Sequence, residues 1–390
     1  MARKQVPAGA RKRPGGGWEW RFTYKGIRCS VGAGNLDKLQ EKHDEKKREI
    51  DAGLYTANRN ITVGQYFDEW IDRKKSVLKG SSLFSYKTHF ETHIRPEIGN
   101  IKLKALERRQ LLALQKKVSI QKKSSKGRRQ GRPITGGPVV ANRVIFLMKS
   151  LLKSAMDDEI IIRNVAATIP PIKVEKRPAR ETCHRELSDE ELRIFFKYAD
   201  RSIYGNAFRF MLYTGLRAGE CGGLEWQDVD WKGKVIHVRR TMTVTENGKF
   251  VVGSSTKTRK STRDIFMNED IFSLVMKQYE IYSGLHGKVM NLYDPIFPTS
   301  RGHHPSGTSF YSVIKFLLKQ AHRDGEKIDN FGTHAFRDTF ASKAIRAGMP
   351  PNVLKEILGH TSYKMTMDLY VHTNEDDKRQ AMQSLKMVNI

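Results

Sequence analysis

The 390-residue chain carries 70 Lys and Arg residues against 42 Asp and Glu residues, which gives a formal net charge of +28. Such an excess of positive charge predicts a polyanionic partner, and nucleic acid is the simplest candidate. The sequence has no long apolar segment, signal peptide or lipidation motif, so we expect no membrane association and a cytoplasmic protein that acts on the nucleoid.

Residues 1–57 are predicted to form a small sheet that packs on one helix. The segments 18–24 and 27–31 read as two strands joined by a turn at Lys25-Gly26, and the charged run 36–50 reads as the helix. The alternative is a solvated basic extension, but the aromatic residues of 18–24 alternate as one face of a sheet would. The candidate DNA contacts of this module are Arg11, Lys12, Arg13, Trp20 and Arg21.

Residues 60–168 are predicted to be all-helical, because apolar residues recur at helical spacing in three stretches, around Tyr66, Leu83 and Val144. We interpret these stripes as core. One segment between two helices is strongly basic and is either a loop that follows DNA, a flexible solvated loop, or both. Its cations are Lys122, Lys123, Lys126, Arg128, Arg129 and Arg132.

A proline-broken linker is predicted at 169–184, and a further domain at 185–390. The linker cations Lys173, Lys176 and Arg177 suggest a strap along a phosphate backbone. Ser188 with Glu191 forms a capping-box pattern at the start of the domain. Alternating residues then predict strands at 234–238, 241–245 and 249–252, with a hairpin turn at 246–248, and a further strand near 264–267.

A helix is predicted after Pro351, with its end at Gly359 and with His360 directly beyond it. Ser362 is a candidate cap for a second short helix that carries Tyr370. The tail has apolar residues at 381, 382, 385 and 388 that would make a short amphipathic helix, packed either within the chain or on a neighbouring subunit.

Six residues of this last domain occur in a fixed order with narrow spacing. They are Arg217 in Thr-Gly-Leu-Arg-Ala-Gly-Glu, Lys257 in a Lys-Thr pair, His334 and Arg337 in Thr-His-Ala-Phe-Arg, His360 in Leu-Gly-His, and Tyr370 ten residues later. This ordered set resembles the tyrosine recombinase family, the phage-type integrases. The resemblance runs through essentially the whole chain.

The resemblance implies a multidomain, mainly α fold with small β-sheets. Its parts would be an arm-type DNA-binding domain of sheet and helix, a helical core-binding domain and an α+β catalytic domain. The implied function is site-specific recombination that integrates and excises a mobile element, of a phage or a conjugative transposon. The implied partners are core and arm attachment sites in double-stranded DNA, a homotetramer on that DNA, and possible excisionase and DNA-bending host proteins in a bacterial host.

The chemistry of phosphodiester transfer explains these residue types. Guanidinium groups hold phosphate oxygens with paired hydrogen bonds, so Arg217 and Arg337 are interpreted as a clamp. Tyr370 would attack phosphorus and leave a 3′-phosphotyrosyl ester. Lys257 would protonate the leaving sugar oxygen. His334 would accept the tyrosyl proton or bond the phosphate, and His360 would add a donor to the transition state.

Each of these residues also has a structural interpretation when it is taken alone. An arginine of a basic chain is usually a solvated group, a lone histidine is usually structural, and Tyr370 could be a core residue. Arg259, Lys260 and Arg263 lie close to Lys257 and are alternatives to it. Glu220, three residues after Arg217, is expected to orient that guanidinium or to bond backbone.

No cofactor and no metal are expected. The histidines are not spaced with carboxylates as metal ligands are, no glycine-rich nucleotide loop is present, and the three scattered cysteines suggest reduced thiols. Two other functions stay open. One is a relaxing enzyme like a type IB topoisomerase, and the other is a DNA-binding protein of the same fold that does not cleave.

Overall fold

The computed structural model describes residues 6–51, 60–120, 124–129, 132–134, 136–174, 185–254, 262–286, 291–360, 362–363 and 366–367. The chain divides into two compact units, Met1–Leu78 with Ser85–Val174, and Lys79–Phe84 with Glu175–Ile390. Helices dominate both units and the sheets are small, which confirms the expected fold class. The finer division into an N-terminal module and a helical domain stays a prediction, because both lie within the first unit.

The N-terminal module is a three-stranded antiparallel sheet covered by one helix. The elements are β1 (Ala10–Lys12), β2 (Trp18–Tyr24), β3 (Ile27–Ala33) and α1 (Leu36–Asp51), with β2 in the centre of the sheet. The two predicted strands and the helix are confirmed. Strand β1 was not predicted, because the sequence around it is rich in glycine and arginine and has no strand pattern. It forms a strand by pairing with β2.

Trp20 lies in the interior of this module and not on its surface. Its residue exposure is 8%, its ring stacks on the imidazole of His43 with centroids 3.7 Å apart, and its indole N–H donates to the Ala8 carbonyl at 3.0 Å. The prediction that Trp20 contacts DNA is therefore wrong, because its apolar surface and its one donor are already used in the core. The other predicted contacts of the module, Arg11, Lys12, Arg13 and Arg21, are exposed.

The helical part of the first unit buries the stripes that the sequence indicates. Its elements are α2 (Val63–Lys74), the second half of α3 (Gly80–His89), a π-helical turn at Phe90–Ile94, α4 (Arg95–Ile98), α5 (Arg108–Ile120) and α6 (Pro138–Asp157). The first half of α3, up to Phe84, belongs to the second unit. Thr62 and Gln65 form a capping box at the start of α2. Tyr66, Phe67 and Trp70 are at most 1% exposed, as core residues should be.

The basic segment after α5 contains a hairpin and is not simply a loop. Its strands β4 (Ser124–Arg129) and β5 (Arg132–Ile134) pair antiparallel, and the register shifts between Ser124 and Arg128. Alternation of cations with glycine and serine gives no apolar strand pattern, so the sequence could not indicate this pairing. Lys122 and Lys123 lie outside the described residues.

Residues 169–174 pack on the helices of the first unit, which corrects the predicted start of the linker at 169. Ile169 is 1% exposed, and its carbonyl accepts from Lys149 Nζ at 2.8 Å. Asn142 bonds both the carbonyl and the N–H of Ile172, at 2.9 and 2.8 Å. Proline predicts a break in helix but does not predict whether the chain beyond it is solvated. The rest of the predicted linker, with Lys176 and Arg177, lies outside the described residues.

The second unit combines helices with two small sheets. The helices are α7 (Asp189–Ala199), α8 (Gly205–Thr214), α9 (Ala218–Gly222), α10 (Glu269–His286), α11 (Gly307–Arg323), α12 (His334–Arg346) and α13 (Pro351–Leu358). The strands are β6 (Val229–Asp230), β7 (Val235–Val238), β8 (Arg240–Val244), β9 (Phe250–Ser254) and β10 (Arg263–Phe266). One sheet has the order β10-β7-β6, and β8 and β9 form a separate hairpin. The predicted strands, hairpin and Ser188 capping box are confirmed.

An aromatic core joins α7, α8 and α12. Phe195 and Phe208 meet edge to face with centroids 5.5 Å apart, and Phe336 stacks on Phe208 at 5.7 Å. All three rings are at most 1% exposed. Phe336 thus packs α12 on α8, and its neighbour Arg337 lies beside the end of α8. None of the helices in the described part of the chain is both long and apolar enough to cross a membrane.

Candidate active site

Arg217 sits at the N-terminus of α9, just beyond the point where α8 ends. Gly215 ends α8 in the left-handed region, with φ of +65°, and a Cβ there would lie 2.5 Å from the Phe340 ring. Only glycine fits this turn. The backbone N–H of Arg217 then donates to Glu220 Oε2 at 2.9 Å, and its guanidinium Nη1 donates to Glu220 Oε1 at 3.0 Å. The expected orienting role of Glu220 is consistent with this geometry.

Arg337 reaches from α12 to the C-terminal ends of two other helices. Its Nη1 donates to the Gly215 carbonyl at 2.8 Å, and its Nη2 donates to the Leu358 carbonyl at 2.7 Å. The residue is 5% exposed. A cation is favoured at the C-terminal end of a helix, where the backbone carbonyls lack partners. Arg337 therefore fixes the turn of Arg217 and the turn of His360 relative to each other.

Arg263, the first residue of β10, completes a cluster of three guanidinium groups. Its Nη1 and Nη2 donate to the two oxygens of Glu220 at 3.1 and 2.8 Å, and its Nε donates to the Ile357 carbonyl at 2.6 Å. Glu220 thus accepts from two arginines, one on each side. From the sequence, Arg263 is only an alternative to Lys257, because spacing along the chain cannot show a partner 43 residues away.

His360 follows α13 through Gly359, which has φ of +64° and ends the helix as predicted. The backbone N–H of His360 bonds the Lys355 carbonyl at 3.1 Å, and its Nδ1 lies 3.0 Å from the Thr366 hydroxyl oxygen. Thr366 is fully buried and was missed by sequence analysis. A threonine four residues before Tyr370 carries no signal by itself, since helical spacing alone does not single out a hydroxyl partner for a histidine.

Burial and like charges set the ionisation of this cluster. Burial raises the pKa of Glu220, but the hydrogen bonds and charge of Arg263 and the charge of Arg217 outweigh it, and the pKa falls to about 2. Burial, with repulsion from Arg217, lowers the pKa of Arg337 to about 9. Burial, with repulsion from Arg337, Arg217 and Arg263, lowers the pKa of His360 to about 4. At neutral pH Arg217, Arg263 and Arg337 are cations, Glu220 is an anion, and the imidazole of His360 is uncharged.

The depressed pKa of Glu220 makes its contribution to stability pH-dependent. A carboxyl whose folded-state pKa lies below its unfolded value stabilises the fold above the unfolded value, about 4.5, and loses that contribution as pH falls toward 2. We expect Glu220→Gln to lower the free energy of unfolding on the order of 3 kcal/mol at pH 7. Urea denaturation of both proteins between pH 7 and pH 3 should show this gap shrinking below pH 4.5. A constant gap would contradict the ion-pair account.

The depressed pKa of His360 gives a second expectation, for the DNA-free protein. The histidine should stay neutral through pH 6 to 8 and titrate near pH 4, far below the usual value of about 6.5. NMR titration of the imidazole signals, with His360→Asn to assign the resonance, measures this directly. A midpoint at or above 6.5 would contradict the burial of the ring and its repulsion by the three neighbouring guanidinium groups.

The structure brings four of the predicted site residues together, namely Arg217, Glu220, Arg337 and His360. His334 is exposed at the first position of α12, one helical turn before Arg337. Residues three apart on a helix share a face, so His334 borders the same side of α12. Lys257 and Tyr370 lie outside the described residues. Of the chain around Tyr370, the structure describes Tyr363, Thr366 and Met367 as helical.

The predicted DNA contacts in the first unit are only partly described. Lys173 is exposed near the end of this unit. Lys126, Arg128, Arg129 and Arg132 lie on the β4–β5 hairpin. Among the residues that the structure describes, no three His, Cys, Asp or Glu side chains come together as metal ligands.

Two family models match the chain. Residues 186–377 match the Phage integrase family, and residues 62–119 match the phage integrase N-terminal SAM-like domain. The chain is 24% identical over 369 residues to a protein described as tyrosine recombinase XerC-like from Caldanaerobacter subterraneus, which covers 89% of this chain and 90% of that protein. It is 24% identical to the integrase of Staphylococcus phage L54a, in an alignment that covers 90% of this chain and 98% of that integrase. The transposase of transposon Tn916 from Enterococcus faecalis is 27% identical, in an alignment that covers 61% of this chain and 54% of that transposase.

Solved structures share the fold. The integrase of transposon Tn1549 in complex with a circular intermediate DNA superposes with a TM-score of 0.67 at 19% identity, covering 84% of this chain and all of that one. A lambda integrase tetramer bound to a Holliday junction gives a TM-score of 0.57 at 15% identity, covering 100% of this chain and 99% of that one. At these identities the likeness establishes the fold alone.

Proposed function

Because the chain belongs to the phage integrase family of tyrosine recombinases, we propose that it is a site-specific DNA recombinase that integrates and excises a mobile genetic element. It would cleave one strand at a time, keep the bond energy in a protein–DNA ester, and rejoin the strand to a partner duplex. Relatives named for phages, transposons and an integrative conjugative element support an element of this kind.

The observation that carries this proposal is the charge and geometry around Glu220. Three guanidinium groups lie close together in a largely buried site, and the positive charges of Arg217, Arg263 and Arg337 outnumber the two carboxylates that act on them, Glu220 and Asp338. Arg217 is the more accessible of the two predicted clamp residues, because its side chain is 37% exposed whereas Arg337 is 5% exposed. Negative charge gathers on the phosphate oxygens in the transition state of strand cleavage. A buried excess of positive charge next to an accessible guanidinium would stabilise that charge.

The reaction follows from these residues and from the two that lie outside the described part of the chain. His334 takes the proton of the Tyr370 hydroxyl as its oxygen attacks phosphorus, a P–O bond to tyrosine forms, and the bond from phosphorus to the 5′ oxygen breaks. Lys257 gives its proton to that departing oxygen, which leaves as a 5′-hydroxyl. Arg217 and Arg337 hold the non-bridging oxygens. In the tautomer whose Nδ1 accepts from the Thr366 hydroxyl, neutral His360 carries an Nε2–H that would donate to the same phosphate.

The partners of the proposed enzyme are double-stranded attachment sites and further copies of the chain. Four copies would hold two duplexes, and this proposal is supported by the tetramer named for lambda integrase. The N-terminal module would bind arm sites through Arg11, Lys12, Arg13 and Arg21, which are exposed. Excisionase and a DNA-bending host protein would set the direction of recombination. The protein would act in the nucleoid of a bacterial host.

A two-plasmid assay tests the proposed function. DNA that flanks the gene supplies candidate attachment sites, one cloned in each of two plasmids, and we expect joint molecules to form only when both are present. A supercoiled plasmid with a single site is the control. Relaxation of that plasmid without joint molecules would instead indicate an enzyme like a type IB topoisomerase, and neither product would leave only DNA binding.

A further inference from the structure

We propose that Arg263 is a positioning residue that occupies Glu220 and so keeps the guanidinium of Arg217 available for the DNA phosphate. The same side chain also fixes the last turn of α13, from which His360 emerges. The inference rests on the proposed cleavage reaction and adds to it a residue that acts on the reacting phosphate only through others.

Arg263 and Arg217 bind the carboxylate of Glu220 in different ways. Arg263 grips the carboxylate with both Nη atoms, at 3.1 and 2.8 Å, in the paired geometry that guanidinium and carboxylate prefer. Arg217 gives the carboxylate a single side-chain nitrogen, Nη1, at 3.0 Å. Within the described residues, Nη2 and Nε of Arg217 are left for a ligand.

Arg263 itself is poorly placed to bind DNA. Its side chain is 8% exposed, and all three guanidinium nitrogens already donate, two to Glu220 and one to the Ile357 carbonyl. Arg337 is also buried, but among the described residues its Nε has no acceptor, whereas the Nε of Arg263 is taken by the Ile357 carbonyl. A buried group whose three nitrogens all donate within the protein contributes by holding other groups in place. Its effect on a bound phosphate therefore passes through Glu220 and through α13.

The C-terminal end of α13 shows the second part of this role. Arg263 and Arg337 bind the successive carbonyls of Ile357 and Leu358, at 2.6 and 2.7 Å. Gly359 follows in the left-handed conformation, and a Cβ there would come within 3.0 Å of Arg263 Nη1. The glycine thus leaves room for the guanidinium to pass beneath the turn. Two cations at one helix end stabilise that end and fix where His360 begins.

Removal of Arg263 would leave a buried carboxylate with Arg217 as its nearest remaining partner. Glu220 would then be expected to rotate and take both Nη atoms of Arg217, because a buried carboxylate needs its charge compensated. A guanidinium whose two Nη atoms are both bound to Glu220 cannot also bind a phosphate with paired hydrogen bonds. The protein would still bind DNA, but the phosphate would be held poorly in the transition state.

Arg263→Met is the primary test, with Tyr370 intact. In single-turnover cleavage of a nicked duplex carrying the attachment site, we expect a rate loss of about 10- to 100-fold and a DNA dissociation constant within about threefold of the wild type. The decisive variant is Arg263→Met combined with Glu220→Gln. Glutamine can still cap Arg217 but does not capture its guanidinium through charge, so the double variant should cleave faster than Arg263→Met alone.

Arg185→Met is a matched control, because Arg185 is also 8% exposed in its side chain. It also forms a two-nitrogen pair with a capping-box glutamate, Glu191, at 2.8 and 2.6 Å, and it also donates to a backbone carbonyl, that of Asp329. A comparable loss of thermal stability with wild-type cleavage is expected for this variant. Cleavage that falls equally in Arg185→Met and Arg263→Met would assign both arginines a merely structural role.

The outcomes separate this inference from the proposed function. If the wild type forms no covalent product, the proposed function fails. If the wild type cleaves and Arg263→Met cleaves equally fast, or if the double variant is no faster than Arg263→Met, only this inference is overturned. Should Arg263→Met not fold, Arg263→Lys decides, since lysine keeps the charge but cannot hold both carboxylate oxygens. Cleavage by the lysine variant at the wild-type rate would then overturn the inference.

Discussion

Replacement of Tyr370 by phenylalanine is expected to abolish covalent attachment of the protein to DNA and to slow strand cleavage by a factor on the order of 10⁴ or more. The variant loses one oxygen atom, and that oxygen is the proposed nucleophile. Neither the charge of the guanidinium cluster nor the DNA-binding surfaces change. Binding of the attachment site should therefore be retained.

The measurement uses a duplex with a nick near the cleavage position, so that a released fragment diffuses away and the ester accumulates. Denaturing gels then measure the fraction of the protein that is covalently attached to DNA. Tyr363→Phe is the matched control, because Tyr363 lies seven residues earlier and is 49% exposed. Loss of the product in Tyr363→Phe with retention in Tyr370→Phe would reassign the nucleophile.

Replacement of Arg217 by methionine is expected to slow cleavage by about 10²- to 10³-fold, which is the usual effect of removing one preorganised donor from a developing oxyanion. DNA binding should weaken far less, because one contact among many in a chain with a net charge of +28 carries little of the affinity. Thermal stability should change little, since Arg263 still compensates Glu220.

Arg209→Met is the control for this variant. Arg209 belongs to the same unit, has a similar side-chain exposure of 31%, and pairs with Asp200 at 2.6 Å. Rapid-quench measurement of single-turnover cleavage in both variants separates loss of the phosphate clamp from loss of a surface ion pair. If Arg217→Met cleaves like Arg209→Met, Arg217 is not part of the clamp.

Most of the elements that hold the site could be predicted because their local patterns are strong. Pro351 and Gly359 mark both ends of α13, and the Ser188 capping box marks the start of α7. Arg217, Arg337 and His360 could be identified because a family motif fixes their neighbours and their order. The structure then shows that residues 120 or more positions apart meet, as in the contact of Arg337 with Gly215.

What could not be predicted depends on contacts between distant segments. Arg263 looked like one cation among several, and its bonds to Glu220 and to the Ile357 carbonyl are contacts that the sequence does not show. Trp20 precedes Arg21 in a basic module and was interpreted as a DNA contact, whereas stacking on His43 from the helix that covers the sheet buries it. The start of the linker was misplaced because side chains such as Asn142 bond the backbone of 169–174.

The most direct test of the central claim is to locate the ester on the chain. Wild-type protein trapped on a nicked attachment site can be digested with trypsin and nuclease, and mass spectrometry can find the peptide that retains a nucleotide. Cleavage after Lys364 and Lys378 yields a peptide, residues 365–378, in which Tyr370 is the only tyrosine. We expect the nucleotide on that peptide. A modification on the preceding peptide, which holds Tyr363, or no modified peptide from a duplex that the protein binds, would contradict the account.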